Sequence, residues 1–163
     1  MSLISDASPL IFLSKVNQLS LPRTLFHVSC LIPKAVYEEV LSSTNEVEKA
    51  SLLKELKHWK VREVKIGHSS LGVGSVADWS VFQLARIEEA KIVLADDKFL
   101  RGIVSSSGIP ILGTLVILTL AVQKRVLAGK KAIELGTFLI EKHNLWVDAM
   151  TYKLFVDSVN KSS

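Results

Sequence analysis

Sulfur chemistry is almost absent from this 163-residue sequence, which carries a single cysteine, Cys30. A disulfide framework is excluded, and a lone cysteine inside an apolar run reads as a small core residue in a reducing, cytoplasmic setting. The four histidines, His27, His58, His68 and His143, stand at no metal-ligand spacing, which argues against a zinc site. Long apolar runs are also missing. The longest, Ile109 to Val122, is interrupted by Gly113 and two threonines and is too short to cross a bilayer, so no membrane partner is expected. No basic leader precedes Asp6, which argues against a secretory signal. The glycines of GHSSLGVGS, Gly67 to Ser75, are not followed by GKS or GKT, so that loop is no phosphate cradle. The excess of positive charge is small, +4 with a pI near 9.2, and permits a polyanionic partner without demanding one.

What is present is the composition of an ordinary α/β protein, 48% hydrophobic and 22% charged. The length suits one domain over residues 1–163, with a helical C-terminal extension from about residue 130. Ile92 to Thr114, IVLADDKFLRGIVSSSGIPILGT, alternates strand, helix and strand and predicts a βαβ crossover between parallel neighbours. Leu3 to Ser5 reads as a first strand, with Asp6 at its end and Pro9 in the first turn of the following helix. Phe26 to Ile32 reads as a second strand, and Pro33 opens a helix carrying Glu38 and Glu39. Glu46 to Val64 reads as a charged amphipathic helix and its exit, with Leu52, Leu53, Leu56 and Trp59 as its stripe. A helix from Val76 to about Glu89 turns Val81, Phe82, Leu84, Ala85 and Ile87 inward; Leu115 to Arg125 is another. Two more helices fill Lys130 to Val159, with Trp146 and Phe155 as core anchors.

The chemistry-bearing residues are the acids at the joints between these elements: Asp6, Glu39, Asp78, Asp96 and Asp97. In a right-handed parallel fold such joints share one edge of the sheet, where ligands bind. Two ionised carboxylates about 4 Å apart repel by roughly 4 kcal/mol at an effective dielectric near 20, so a cluster of them must hold protons or cations. Oxygen donors without paired His or Cys suit Mg²⁺ or Mn²⁺. Such ions polarise a phosphate and lower the pKa of bound water, which is the chemistry of phosphodiester hydrolysis. Asp6, Asp78, Asp96 and Asp97 are the candidate metal ligands, with Glu39 beside them. Lys98, Arg101 and Arg125 are candidates to hold phosphates. Competing structural roles exist for the same residues: an acid at a helix start, as at Asp78, is favoured by the helix dipole alone.

The segments ISDASPLIFLSKV, LIPKAVYEEV, VADWSVFQLA and IVLADDKFLRGIVSSSGIPILGT, in this order, resemble a PIN domain of the branch with a DASPLI start and a GT-containing final strand. The resemblance implies a three-layer α/β/α fold with a central parallel sheet and a Mg²⁺- or Mn²⁺-dependent ribonuclease acting on RNA. It further implies the toxin of a VapC-like toxin–antitoxin pair, with an antitoxin partner and a homodimer. Transferred residue by residue, the family's first acid falls on Asp6, its helical glutamate on Glu39 and its small polar residue on Ser8. The third acid falls on Asp78, where Ala77 and Asp78 replace the usual GE, and the fourth on Asp96 or Asp97. Thr114 matches the GT threonine. Two other classes compete. One is a PIN-like module that binds nucleic acid or protein with weak or lost catalysis. The other is a phosphatase using Asp6 as nucleophile, which Ser8 disfavours because that chemistry places a second Asp there.

Overall fold

A computed structural model describes residues 1–67 and 72–163; His68 and part of the expected Gly67 to Ser75 loop lie outside the described residues. The first strand, β1 (Ser2–Ser5), is buried along its whole length, as expected of a central parallel strand covered on both faces. It leads into α1 (Ala7–Lys15), α2 (Leu21–Phe26), β2 (Ser29–Pro33), α3 (Lys34–Ser42), α4 (Glu46–Leu56) and β3 (Lys60–Arg62). Then follow α5 (Val76–Ile87), β4 (Ile92–Leu94), α6 (Lys98–Ser105), β5 (Ile111–Leu112), α7 (Thr114–Gln123), α8 (Gly129–Lys142) and α9 (Ala149–Ser162).

The five strands form one parallel sheet in the order β3-β2-β1-β4-β5. Ile4 pairs with Leu31 on one side and Val93 on the other, and Leu94 pairs with Leu112. Helices flank the sheet, giving the three-layer α/β/α arrangement. The chain leaves β1 toward β2 and leaves β4 toward β5, so the strand order reverses between β1 and β4. That reversal opens a crevice at their carboxyl ends, the place where open α/β sheets bind ligands. Leu3, Ile4, Ile32, Val93 and Leu94 form the middle of the core, and Leu10, Leu13, Leu100, Ile117, Leu118 and Leu139 close it from the helices. Among the described residues no helix is long and apolar enough to cross a membrane.

The βαβ reading of Ile92 to Thr114 matches the pairing of β4 with β5. Other sequence expectations are corrected. Phe26 ends a short helix rather than opening the second strand; α2 carries Pro22 at its start and closes at His27, whose φ of 52° is left-handed. The exit of the charged helix holds a strand, β3, all of whose residues are exposed. Lys60 and Arg62 hide its register in sequence, while charge on an edge strand discourages edge-to-edge pairing. Ile87 is 63% exposed, so the inward face of α5 stops a turn earlier than its apolar spacing suggests. Phe155 is a core anchor, but Trp146 is 67% exposed in the α8–α9 connection.

Candidate functional site

Asp6 follows β1 directly and takes the N-cap position of α1. Its amide N–H donates to the Leu94 carbonyl at 2.9 Å, which fastens the end of β1 to the end of β4 at the crevice. The side chain is only 5% exposed. Its carboxyl pKa is raised to about 7, chiefly by burial; the Ala7 amide opposes the rise, and the neighbouring charges of Glu39, Asp78 and Asp97 add to it. Three acids from three other segments thus act on one buried carboxyl group. Glu39, on the second turn of α3, is itself raised by partial burial and then by Asp78.

Asp78 and Asp97 reach this neighbourhood because both sit at helix starts on the same sheet edge. Asp78 forms a capping box with Ser75, accepting the Ser75 N–H at 2.8 Å while the Ser75 hydroxyl accepts the Asp78 N–H at 3.1 Å. Asp97 caps α6 by accepting the Leu100 N–H at 2.9 Å through Oδ1. Each cap engages one carboxylate oxygen and leaves the other for a further partner. The two helix starts are fastened together by aromatic edges, with the rings of Trp79 and Phe99 at 6.0 Å. The Trp79 indole also donates to the Val73 carbonyl.

Asp96 is used differently. Its carboxylate accepts both the N–H of Thr114 at 2.8 Å and the Thr114 hydroxyl at 2.7 Å. Burial raises its pKa, and the two Thr114 bonds and the Arg101 charge oppose the rise. Arg101 in turn donates to the Ala95 carbonyl at 2.9 Å. Asp96, Thr114 and Arg101 therefore lock β4 to the start of α7, and Asp96 also borders the groove there. Of the two adjacent aspartates, Asp97 is the one that bears on Asp6. Thr114 begins α7 rather than ending the last strand.

The expected phosphate-holding residues separate as well. Lys98 lies on the carboxyl edge, in the groove that also holds Ser8 and Asp97. Arg125 follows the far end of α7, a helix of 10 residues or about 15 Å, and borders Gly129 and Ser162. Its neighbour Lys124 donates to the Leu25 carbonyl just before β2, so Arg125 belongs to the opposite edge of the sheet.

Among the described residues no three His, Cys, Asp or Glu side chains already stand at the spacing of a metal's ligand shell. The donor set nevertheless suits a hard cation. All its donors are carboxylate oxygens, and none of the ion pairs among the described residues involves Asp6, Glu39, Asp78 or Asp97. The negative charge is left to protons, water or a bound ion. Sequence reasoning missed Asn144 and Trp146 as site residues; both line the groove that Asp97 borders. The available signal was a tryptophan in the short connection HNLWVD between two helices.

Sheet order and acids together define an open parallel α/β protein with an acidic site where its strand order reverses. The family model DUF3368, a PIN domain, matches residues 2–161, and the chain belongs to the PIN domain family. No curated protein matches it in sequence. PIN domains are generally nucleases that use divalent metals, so the family places this chain among nuclease-type modules.

Proposed function

We propose that the protein is a Mg²⁺- or Mn²⁺-dependent endoribonuclease. The observation that carries the reading is Asp6: a buried carboxyl group at the β1–β4 crevice, under the charge of acids from three other segments, with no cation among the described residues paired to any of them. Asp6, Asp78 and Asp97 would hold the ion, with Glu39 beside them. When bound, the ion supplies Lewis-acid polarisation of the phosphate and a lowered pKa for water. Asp6 carries a proton part of the time near neutral pH and gives it up as positive charge enters. The caps at Asp78 and Asp97 fix those carboxylates in place, and Lys98 offers a charge to the incoming strand. Purified protein is expected to cleave RNA with Mn²⁺ or Mg²⁺, and Asp6→Asn to be inactive. Equal activity in that variant removes the assignment.

A narrower form of the proposal makes the protein the toxin of a toxin–antitoxin pair in the cytoplasm. An antitoxin, or a second copy in a homodimer, would find Met150 and Leu154 of α9 exposed. Co-expression with a small protein encoded next to the gene tests the first, and sedimentation the second. A second reading, a binding module with weak or lost catalysis, draws on the open spacing of the carboxylates and on Ala77–Asp78 standing where the family usually has GE. Calorimetry with Mn²⁺ separates the two: tight binding lost in the Asp6→Asn, Asp97→Asn double variant supports the nuclease, and no binding supports the module.

A further inference from the structure

Asp97 faces a second feature besides the acids. With Ser8, Phe12, Lys98, Asn144 and Trp146 it borders an open groove of about 440 Å³, within the roughly 300–1,000 Å³ of sites that take small ligands. The groove exists because the α8–α9 connection returns to the carboxyl edge of the sheet, turning at Asn144 with φ of 58° before Asp148 caps α9. The turn leaves the Trp146 indole 67% exposed. The Lys98 ammonium lies over one face of the ring, 4.2 Å from its centroid, which orients the ring, sets a positive charge against it and leaves the other face for a stacking partner. A smaller hollow, about 190 Å³, continues past Lys98 and Trp146 to Thr151.

We infer that this groove is a base-stacking subsite for one nucleotide of a single-stranded RNA, with Trp146 as its platform and Lys98 meeting the adjoining phosphate. The inference rests on the nuclease reading, because it gives the strand a path from the groove to the acids along the wall they share at Asp97. Every base has a flat face, so an aromatic ring beside a cation holds single strands without sequence preference. The Asn144 amide offers both a donor and an acceptor to a base edge. The exposed Asp97 carboxylate in the same lining repels phosphate and leaves its neighbourhood to the uncharged base. The apolar side chains Phe12, Leu145 and Trp146 stand among Ser8, Asp97, Lys98 and Asn144, a mixed lining that suits a base better than the apolar stripe of a partner helix.

The test measures binding of a fluorescein-labelled 2′-O-methyl RNA oligomer to the full chain, in EDTA and again with Mg²⁺, at low salt. Trp146→Ala is expected to weaken affinity roughly 5- to 150-fold, and Trp146→Phe to keep most of it. An abasic oligomer of the same length should bind the wild type as weakly as the intact one binds Trp146→Ala. The proposal is overturned if the wild type does not bind the oligomer, if Trp146→Ala binds it equally well, or if base removal has no effect. It is also overturned if Trp146→Ala keeps its oligomer affinity but dissociates a self-associated chain in sedimentation, which would make the surface a protein contact. The nuclease reading fails separately. Base-dependent binding through Trp146 without RNA cleavage keeps the subsite, whereas cleavage with binding indifferent to Trp146 keeps the nuclease and removes the subsite.

Discussion

Thr114 gives both of its donors to Asp96, its N–H at 2.8 Å and its hydroxyl at 2.7 Å, across the gap between the end of β4 and the start of α7. Thr114 is fully buried, so removing its hydroxyl leaves a carboxylate oxygen without its partner. Thr114→Val is expected to cost about 1–3 kcal/mol and Thr114→Ser much less, because the serine keeps the donor. Urea denaturation of the two variants checks this, and equal midpoints for both would show that the bond contributes nothing net.

The pH dependence of stability follows from Asp6. Its pKa is about 7 in the folded protein against 3.8 in the unfolded chain, so between these values the folded state binds the extra proton. Its contribution is therefore favourable at low pH, is lost as pH rises through the interval from about 4 to about 7, and stays lost above it. In metal-free buffer Asp6→Asn should match the wild type near pH 4 and exceed it near pH 8. The gain is a few kcal/mol, with about 4 kcal/mol as the ceiling set by the shift. Mn²⁺ should reverse the order at pH 8 by stabilising the wild type alone. Thermal melts at the two pH values, with and without Mn²⁺, read both effects.

How much of this was legible in the sequence depends on which residues carried the pattern. The β4–α6–β5 unit was readable because Ile92 to Leu94 are apolar, two of them β-branched, and the next helix has a strong apolar face. β3 was not, because an exposed edge strand reading KVR has no buried face to impose alternation. The acids were identifiable as residues at joints between elements, yet sequence could not divide the work of Asp96 and Asp97. That division depends on Thr114, 18 positions away, claiming one of them. Arg125 looked equivalent to Lys98 as a basic residue near an element end; only the direction of α7 shows that it lies at the other edge of the sheet. Trp146 reads as core by residue type, and its exposure follows from the left-handed turn at Asn144, which no periodicity reports.

Capping and charge can be separated at Asp97. Asparagine caps a helix about as well as aspartate, whereas alanine does not. Asp97→Asn should therefore keep wild-type stability while lowering the Asp6 pKa and abolishing metal-dependent cleavage. Asp97→Ala should lose cleavage and also about 1 kcal/mol of stability. The Asp6 titration, followed by carboxyl NMR in both variants, should move down in each. A titration that stays in place would show that Asp97 does not act on Asp6.

Lys98 and Arg125 offer the sharpest contrast, since both are basic and only one lies on the edge that carries the acids. A lysine meeting a phosphate displaces about one counterion, so its removal lowers the steepness with which binding weakens as salt rises. Lys98→Ala should reduce the slope of log affinity against log salt by about 1 for a single-stranded RNA oligomer. Arg125→Ala, at the far end of α7 beside Gly129 and Ser162, should leave the slope as it is, apart from the weak change expected for any lost surface charge. Titrations at three or four salt concentrations decide between them. Equal slopes in the two variants would mean that the strand does not pass Lys98, and a larger effect at Arg125 would move the RNA path to the opposite edge of the sheet.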